Sequence, residues 1–178
     1  MSDQSLDEAN IRLMTENDLL MVFNWRSHPD VRRFMYTNHE ITFDEHLAWF
    51  EQESANKNRY LLIFENNNIP CGFVNFKLQD NNIADWGFYI APDSPKGVGI
   101  LLGKTALNYA FVKIKLHKIM GQVLQTNTKS LSFHQKLGFL QEGIFREQHY
   151  DGFKYNDVIY FGLLKKEWIK NRGAYHDE

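Results

Sequence analysis

Short runs rich in apolar, β-branched and aromatic residues recur along the chain and predict strands at Ile11–Met14, Tyr60–Glu65, Cys71–Leu78, Ile83–Ile90 and His117–Leu124. Two more, Glu142–Tyr150 and Lys154–Leu163, flank Asp151-Gly152, a hairpin signal. Asn66-Asn-Asn-Ile-Pro70 is turn-rich and predicts that the strands on either side run antiparallel. Helical spacing occupies the remaining segments. Asn17–His28 reads as a helix ended by Pro29, and Thr42-Phe-Asp-Glu45 is a capping-box pattern that opens another, through about Glu53. Ile100–Ile114 places Leu102, Ala106, Tyr109 and Ala110 on one side of a long amphipathic helix, and Thr128–Leu137 is a shorter one. The order is strand, two helices, three strands, helix, strand, helix, two strands. That order predicts one mixed α/β domain with a largely antiparallel sheet over residues 10–170, between a loose polar leader at 1–9 and a polar tail at 171–178.

Composition changes this picture little. A chain of 178 residues is long enough to bury a substantial core. The net charge of −2 gives no electrostatic reason to expect nucleic acid or an anionic membrane as partner. Aromatic residues make up 15 %, which favours a half-buried sheet and an aromatic-lined pocket. The single cysteine, Cys71, excludes an internal disulfide framework and reads as a buried structural thiol. With no signal-like N-terminus and no apolar run near 18 residues, the expected location is the cytoplasm. No spacing of His, Cys, Asp and Glu points to a metal site, and a homodimer is compatible with the sequence.

The first candidate for chemistry is Ala91-Pro-Asp-Ser-Pro-Lys-Gly-Val-Gly99, between a strand and a helix. Gly97 and Gly99 let backbone N–H groups approach a ligand closely, and the same amides open a helix whose N-terminus favours anions. A plain turn remains the alternative. A dinucleotide fingerprint fits poorly, because Leu102 stands where the third glycine belongs and the next strand ends without a carboxylate. A P-loop fits no better: Gly103-Lys104-Thr105 has the closing tripeptide, but Val98 occupies the place of its first glycine.

A second motif, Asn127-Thr-Lys-Ser-Leu-Ser-Phe-His-Gln-Lys-Leu-Gly-Phe139, resembles the Asn-x-x-Ala/Ser…Tyr-Glu-Lys-Leu-Gly-Phe segment of the GNAT superfamily of N-acetyltransferases. The loop Ser94–Gly99 lies where that superfamily keeps Arg/Gln-x-x-Gly-x-Gly/Ala. The resemblance implies the GNAT fold and acetyl-CoA as co-substrate. It implies that amides around Lys96, Gly97, Val98, Gly99 and Ile100 hold the pyrophosphate, while Phe88, Tyr89 and Ile90 form a splayed strand beside pantetheine. Asn127, Ser130, Phe133 and Lys136 complete the expected cofactor contacts. Ser94 departs from the usual Arg or Gln.

Further upstream, Asn24-Trp-Arg-Ser-His-Pro-Asp-Val-Arg-Arg-Phe-Met-Tyr36 and Ile41–Trp49 resemble the acceptor-side helices of nucleotide-sugar N-acetyltransferases of pseudaminic acid biosynthesis. These acetylate the 4-amine of a UDP-linked 4-amino-4,6-dideoxy sugar. Protein N-terminus and polyamine acetyltransferases share parts of the pattern, and a catalytically silent acyl-CoA-binding domain is a further alternative.

Catalysis by direct amine attack needs a polarised thioester carbonyl and a proton for the departing thiolate. Amides near Tyr89 are the expected oxyanion donors. His134 stands where relatives keep a tyrosine acid, and a protonated imidazole would serve near neutral pH, unless His134 is only a helix-surface residue. Gln122 occupies the place of a Glu base. On the acceptor side, the guanidinium of Arg26 matches a diphosphate, with Lys77 and His46 as further phosphate candidates. Asp85 or His46 would end a proton-accepting water chain. Met35, Tyr36 and Trp49 line a base or methyl-sugar pocket or are core, and His28, before Pro29, is either a substrate contact or a helix-end cap.

Overall fold

The computed structural model describes residues 8–37 and 39–174. Its strands are β1 (Ala9–Leu13), β2 (Arg59–Asn66), β3 (Ile69–Leu78), β4 (Ile83–Ile90), β5 (Lys118–Leu124), β6 (Leu140–Tyr150) and β7 (Tyr155–Leu164). They form one sheet in the order β1-β2-β3-β4-β5-β7-β6. Every neighbouring pair is antiparallel except β4 and β5. The helices are α1 (Leu19–Ser27), α2 (Pro29–Arg32), α3 (Phe43–Ser54), α4 (Val98–Asn108), α5 (Thr128–Lys136) and α6 (Lys165–Ala174).

Alternation along the strands supplies two apolar faces, and each has its own helical cover. On one face Leu61, Ile63 and Phe73 pack with Val22 of α1 and Phe50 of α3. On the other, Phe76, Trp86, Ile119 and Phe161 pack with Leu102 and Ala106 of α4 and with Leu137 after α5. The acceptor-side segments of the sequence are thus on the first face and the two glycine- and Asn-led motifs on the second.

The pairing of β4 with β5 is short. It covers Ile83↔Lys118, Ala84↔Ile119 and Asp85↔Met120, whereas β4 stays paired to β3 as far as Ile90↔Gly72 and β5 to β7 as far as Leu124↔Val158. From Trp86 and Gly121 onward the two strands part and leave a V. Its apex is packed: the Trp86 Nε1–H donates to His134 Nε2 at 3.1 Å, and both side chains are buried. A Cβ on Gly121 would stand 2.7 Å from that Nε2 and 3.0 Å from the indole nitrogen.

Several boundaries differ from the expected ones for local reasons. Pro29 ends α1, as expected, but also opens α2, because its missing N–H costs nothing in a first turn. α4 starts at Val98, two residues early, and runs into a π-helical turn at Tyr109–Lys113. β1 begins at Ala9, inside the expected leader, and α6 takes in residues 171–174 of the expected tail. Residues 1–7 and 175–178 of those two segments lie outside the described residues.

Because the V depends on the space at Gly121, the Gly121→Ala substitution is expected to cost about 1–3 kcal/mol of stability by overpacking. Urea unfolding monitored by tryptophan fluorescence measures it as a lower midpoint at unchanged slope; an unshifted midpoint contradicts the packing described.

Candidate active site

The backbone hydrogen bonds at the two ends of β4 establish which way its peptide groups point. Ala91 N–H donates to Cys71 O at 2.8 Å on the β3 side, and His117 N–H donates to Asn82 O at 2.7 Å on the β5 side. In an antiparallel ladder the direction alternates, so Asp85, Gly87 and Tyr89 bond to β3 while Ala84, Trp86, Phe88 and Ile90 face the other way. Beyond Asp85 there is no β5 opposite them. The N–H and C=O groups of Phe88 and Ile90 therefore open into the V. This corrects the role expected of Tyr89, whose own amide belongs to the β3 ladder.

The glycine loop stands at the open end of the V. Gly97 has φ +88, the left-handed region, and is the residue that caps α4. A side chain there would meet nothing within 4 Å, so the loop's surface is open. A Cβ on Gly99 would lie 3.9 Å from Ile90 Cγ1, which brings the helix start against the splayed strand. The Val98 side chain is buried in the core, so Val98, like Gly99 and Ile100, offers the loop only its first-turn amide. Ser94 does not replace the expected Arg or Gln: its hydroxyl donates to Cys71 O at 3.2 Å. Lys96 is exposed beside the loop.

On α5, the Asn127 side chain caps the helix by accepting from Ser130 N–H at 3.2 Å. Phe133 packs against Phe88 with centroids 4.8 Å apart. Lys136 is in the last turn and lines a cavity with Asn108, at the opposite end of α4 from the loop; α4 alone spans about 15 Å. The structure therefore does not bring Lys136 to the glycine loop.

His134 is neither a protonated acid nor a surface residue. It is 2 % exposed, and its ring stacks on Phe161 with centroids 5.1 Å apart. Nδ1 donates to Ser130 O at 2.8 Å and Nε2 accepts from Trp86, so both nitrogens are engaged and the ring is neutral. Burial pulls its pKa down to about 4, against a smaller opposing effect of the Ser130 carbonyl. The neutral tautomer is what the Trp86 bond requires, because an imidazolium has no acceptor.

The other face carries the acceptor-side residues. Arg26, half-buried in the last turn of α1, exerts its charge on Tyr89, His46 and Glu45 and makes no ion pair among the described residues. Burial keeps the Tyr89 hydroxyl protonated, with Arg26 opposing. His46 is 2 % exposed, not a surface histidine: Nε2 donates to Leu19 O at 3.1 Å and the ring stacks on Trp49. Burial lowers its pKa, so it ties α3 to α1 as a neutral ring rather than contacting phosphate through Nε2. Trp49 also packs edge-on against Phe73, within the core. Lys77 is exposed at the end of β3 opposite Asp85, whose carboxylate accepts from the Gln79 amide. His28 is the α2 cap; its Nδ1 accepts from Asp30 N–H at 3.2 Å. Met35 and Tyr36 follow α2, and Tyr36 reaches His149 of β6. Gln122 is exposed on the same face as Asp85, just past the apex. The sequence carries no motif for His149, Phe145 or Tyr160; only strand register brings them to this face.

The buried histidine has a consequence for stability. Its folded pKa lies below the ordinary 6.5, so the unfolded chain binds the extra proton between pH 6.5 and 4. Stability is complete above that window and is lost as pH falls through it, by about 1.4 kcal/mol per pH unit. Unfolding free energies measured from pH 7 to 4 should show this slope, and His134→Gln should reduce it by about one proton's worth. An equally steep slope in the variant contradicts the assignment.

Residues 9–140 match the acetyltransferase (GNAT) domain. Acetyltransferase PseH of Campylobacter jejuni is 32 % identical over 133 residues, covering 73 % of this chain and 82 % of that protein. The spermidine N(1)-acetyltransferase of Vibrio cholerae is 24 % identical across 91 % of this chain and 96 % of its own. A crystal structure of Vibrio cholerae spermidine N-acetyltransferase in complex with CoA and spermine superposes with a TM-score of 0.83 at 22 % identity, over 90 % of this chain and 98 % of that one. With its splayed β4, glycine-led α4 and Asn-capped α5, the chain belongs to the GNAT family of acetyltransferases, which take their acetyl group from acetyl-CoA.

Proposed function

We propose that this acetyltransferase acetylates the 4-amino group of a UDP-linked 4-amino-4,6-dideoxy sugar. The observation that carries this reading is the charge state of the acceptor face. Two of its cations are uncommitted. Arg26 and Lys77 have no ion-pair partner among the described residues. Glu45 is tied into the α3 cap, Asp85 is held by Gln79, and Glu40 is paired with Arg32 at 2.6 Å. A nucleoside diphosphate needs the guanidinium that Arg26 presents. The 32 % identity to PseH supports the same reading.

The residues divide the work simply. Val98, Gly99 and Ile100 direct first-turn amides at the pyrophosphate, where the helix dipole adds to them. Phe88 and Ile90 direct amides at the thioester carbonyl oxygen as it gathers negative charge. Trp86, His134 and Phe133 close the base of the V to water. Acetyl-CoA supplies the activated acyl carbon: the amine nitrogen bonds to it, the carbon–sulfur bond breaks, and sulfur leaves with the electron pair. His134 is neutral and fully hydrogen-bonded and Gln122 cannot take a proton, so neither serves as acid or base; in this reading the proton lost by the amine goes to solvent and sulfur gains one from solvent.

Mass spectrometry of reactions with acetyl-CoA and a panel of UDP-4-amino sugars, polyamines and short peptides tests this assignment. One added acetyl group on a UDP-4-amino sugar alone is expected. Acetylated polyamine or peptide, or no product from any acceptor, contradicts it.

A further inference from the structure

The glycine loop is fastened to the sheet by a side chain that precedes its glycines. Between Ala91 and Val98, residues 92, 93, 95, 96 and 97 are exposed, whereas Ser94 is half-buried. Two backbone bonds, Ser94 N–H to Ala91 O at 3.0 Å and Val98 N–H to Pro95 O at 3.4 Å, close turns within the loop. Pro92 and Pro95 have no N–H with which to extend the ladder to β3. The Ser94 hydroxyl instead leaves the loop and donates to Cys71 O at 3.2 Å, 23 positions away in the chain.

The end of β3 is shaped to receive it. Phe64 pairs with Gly72 and Glu65 with Pro70, so Cys71 is a bulged residue with nothing opposite it on β2. Its carbonyl faces β4 and accepts the Ala91 N–H at 2.8 Å, and Ser94 takes the second lone pair. The next residue seats the helix: a Cβ on Gly72 would run into Leu102 Cδ1, in the second turn of α4. Neighbouring residues of β3 thus hold the loop before its glycines and α4 after them. The first-turn amides of Val98, Gly99 and Ile100 lie between these two anchors, with left-handed Gly97 as the pivot.

We propose that Ser94 is a positioning residue for the acyl donor, a strap that holds the loop in the shape that presents those amides. The proposal rests on the reading that the amides take the donor's pyrophosphate. An arginine or glutamine at this place would reach for the phosphates directly; Ser94 points the other way, into the sheet, and acts through the backbone. Without the strap the free loop samples other shapes and has to be ordered when the donor binds, and that ordering is subtracted from affinity. The effect falls on the diphosphate end of the donor. The pantetheine end, held along the open edge of β4, is untouched.

NMR titration of the full chain with CoA, and with pantetheine, which lacks the pyrophosphate, tests the strap. Ser94→Ala should bind CoA about fivefold more weakly than wild type, the worth of one neutral hydrogen bond, and bind pantetheine equally well. Its Val98–Ile100 amides should also exchange faster in the free protein. Ser94→Thr, which keeps the hydroxyl, should bring CoA affinity back to within about twofold of wild type. If CoA shifts the Val98–Ile100 amides of wild type and Ser94→Ala binds it just as tightly, or loses CoA and pantetheine in parallel, the strap is overturned and the loop reading stands. If CoA shifts those wild-type amides no more than pantetheine does, the loop does not hold the pyrophosphate, and the strap falls with that reading.

Discussion

Past Asp85 and Met120, β4 loses its neighbour on one side while keeping it on the other. Backbone N–H and C=O groups that face an apolar interior without partners are costly, so a strand edge left open inside a fold calls for a ligand that can act as a strand. The open edge belongs to Phe88 and Ile90, and it ends at the Gly97 loop and the first turn of α4. An extended amide-bearing chain attached to a diphosphate fits those two features together. The apex of the V is held by the hydrogen bond from Trp86 to His134 over the bare backbone of Gly121. A charge on His134 would break that bond, so its low pKa maintains the cleft's geometry.

In the proposed reading the sheet separates the two substrates: the face covered by α4 and α5 would take the acyl donor and the face covered by α1 and α3 the acceptor, meeting where β4 and β5 part. This explains why the acceptor-side residues are so differently committed. His46 joins α3 to α1, Glu45 caps α3 and Asp85 accepts from Gln79, whereas Arg26 and Lys77 make no ion pair among the described residues. Arg26 lies near Tyr89, at the open end of the V, and Lys77 is level with its apex.

Much of this was legible in the sequence. Local pattern suffices for β2, β3 and β4, for the Asp151-Gly152 hairpin and for the Thr42 cap, since each depends on neighbours a few residues away. The Gly97 loop and the Asn127 cap are also local, and both motifs occupy the places their residues imply. What the sequence could not carry is burial decided by tertiary packing. His134 and His46 look alike as helix histidines, yet each is enclosed by residues far away in the chain: Phe161 and Trp86 for one, Leu19 and Phe23 for the other. Peptide direction in β4 was equally hidden, because it turns on the parity of the ladder rather than on any side chain. The bulge of β6, between the pairs Phe145↔Val158 and His149↔Asn156, leaves no composition signal: Arg146-Glu147-Gln148 reads as ordinary polar strand.

The central claim is that the amides of Phe88 and Ile90, with those of Val98–Ile100, are open until acetyl-CoA engages them. Residue-resolved amide hydrogen exchange by NMR, with and without acetyl-CoA, tests it directly. Strong new protection at Phe88, Ile90 and the first turn of α4 is predicted, with little change at Tyr89, which is already bonded to β3. Unchanged exchange at Phe88 and Ile90 in the presence of saturating acetyl-CoA would contradict the account.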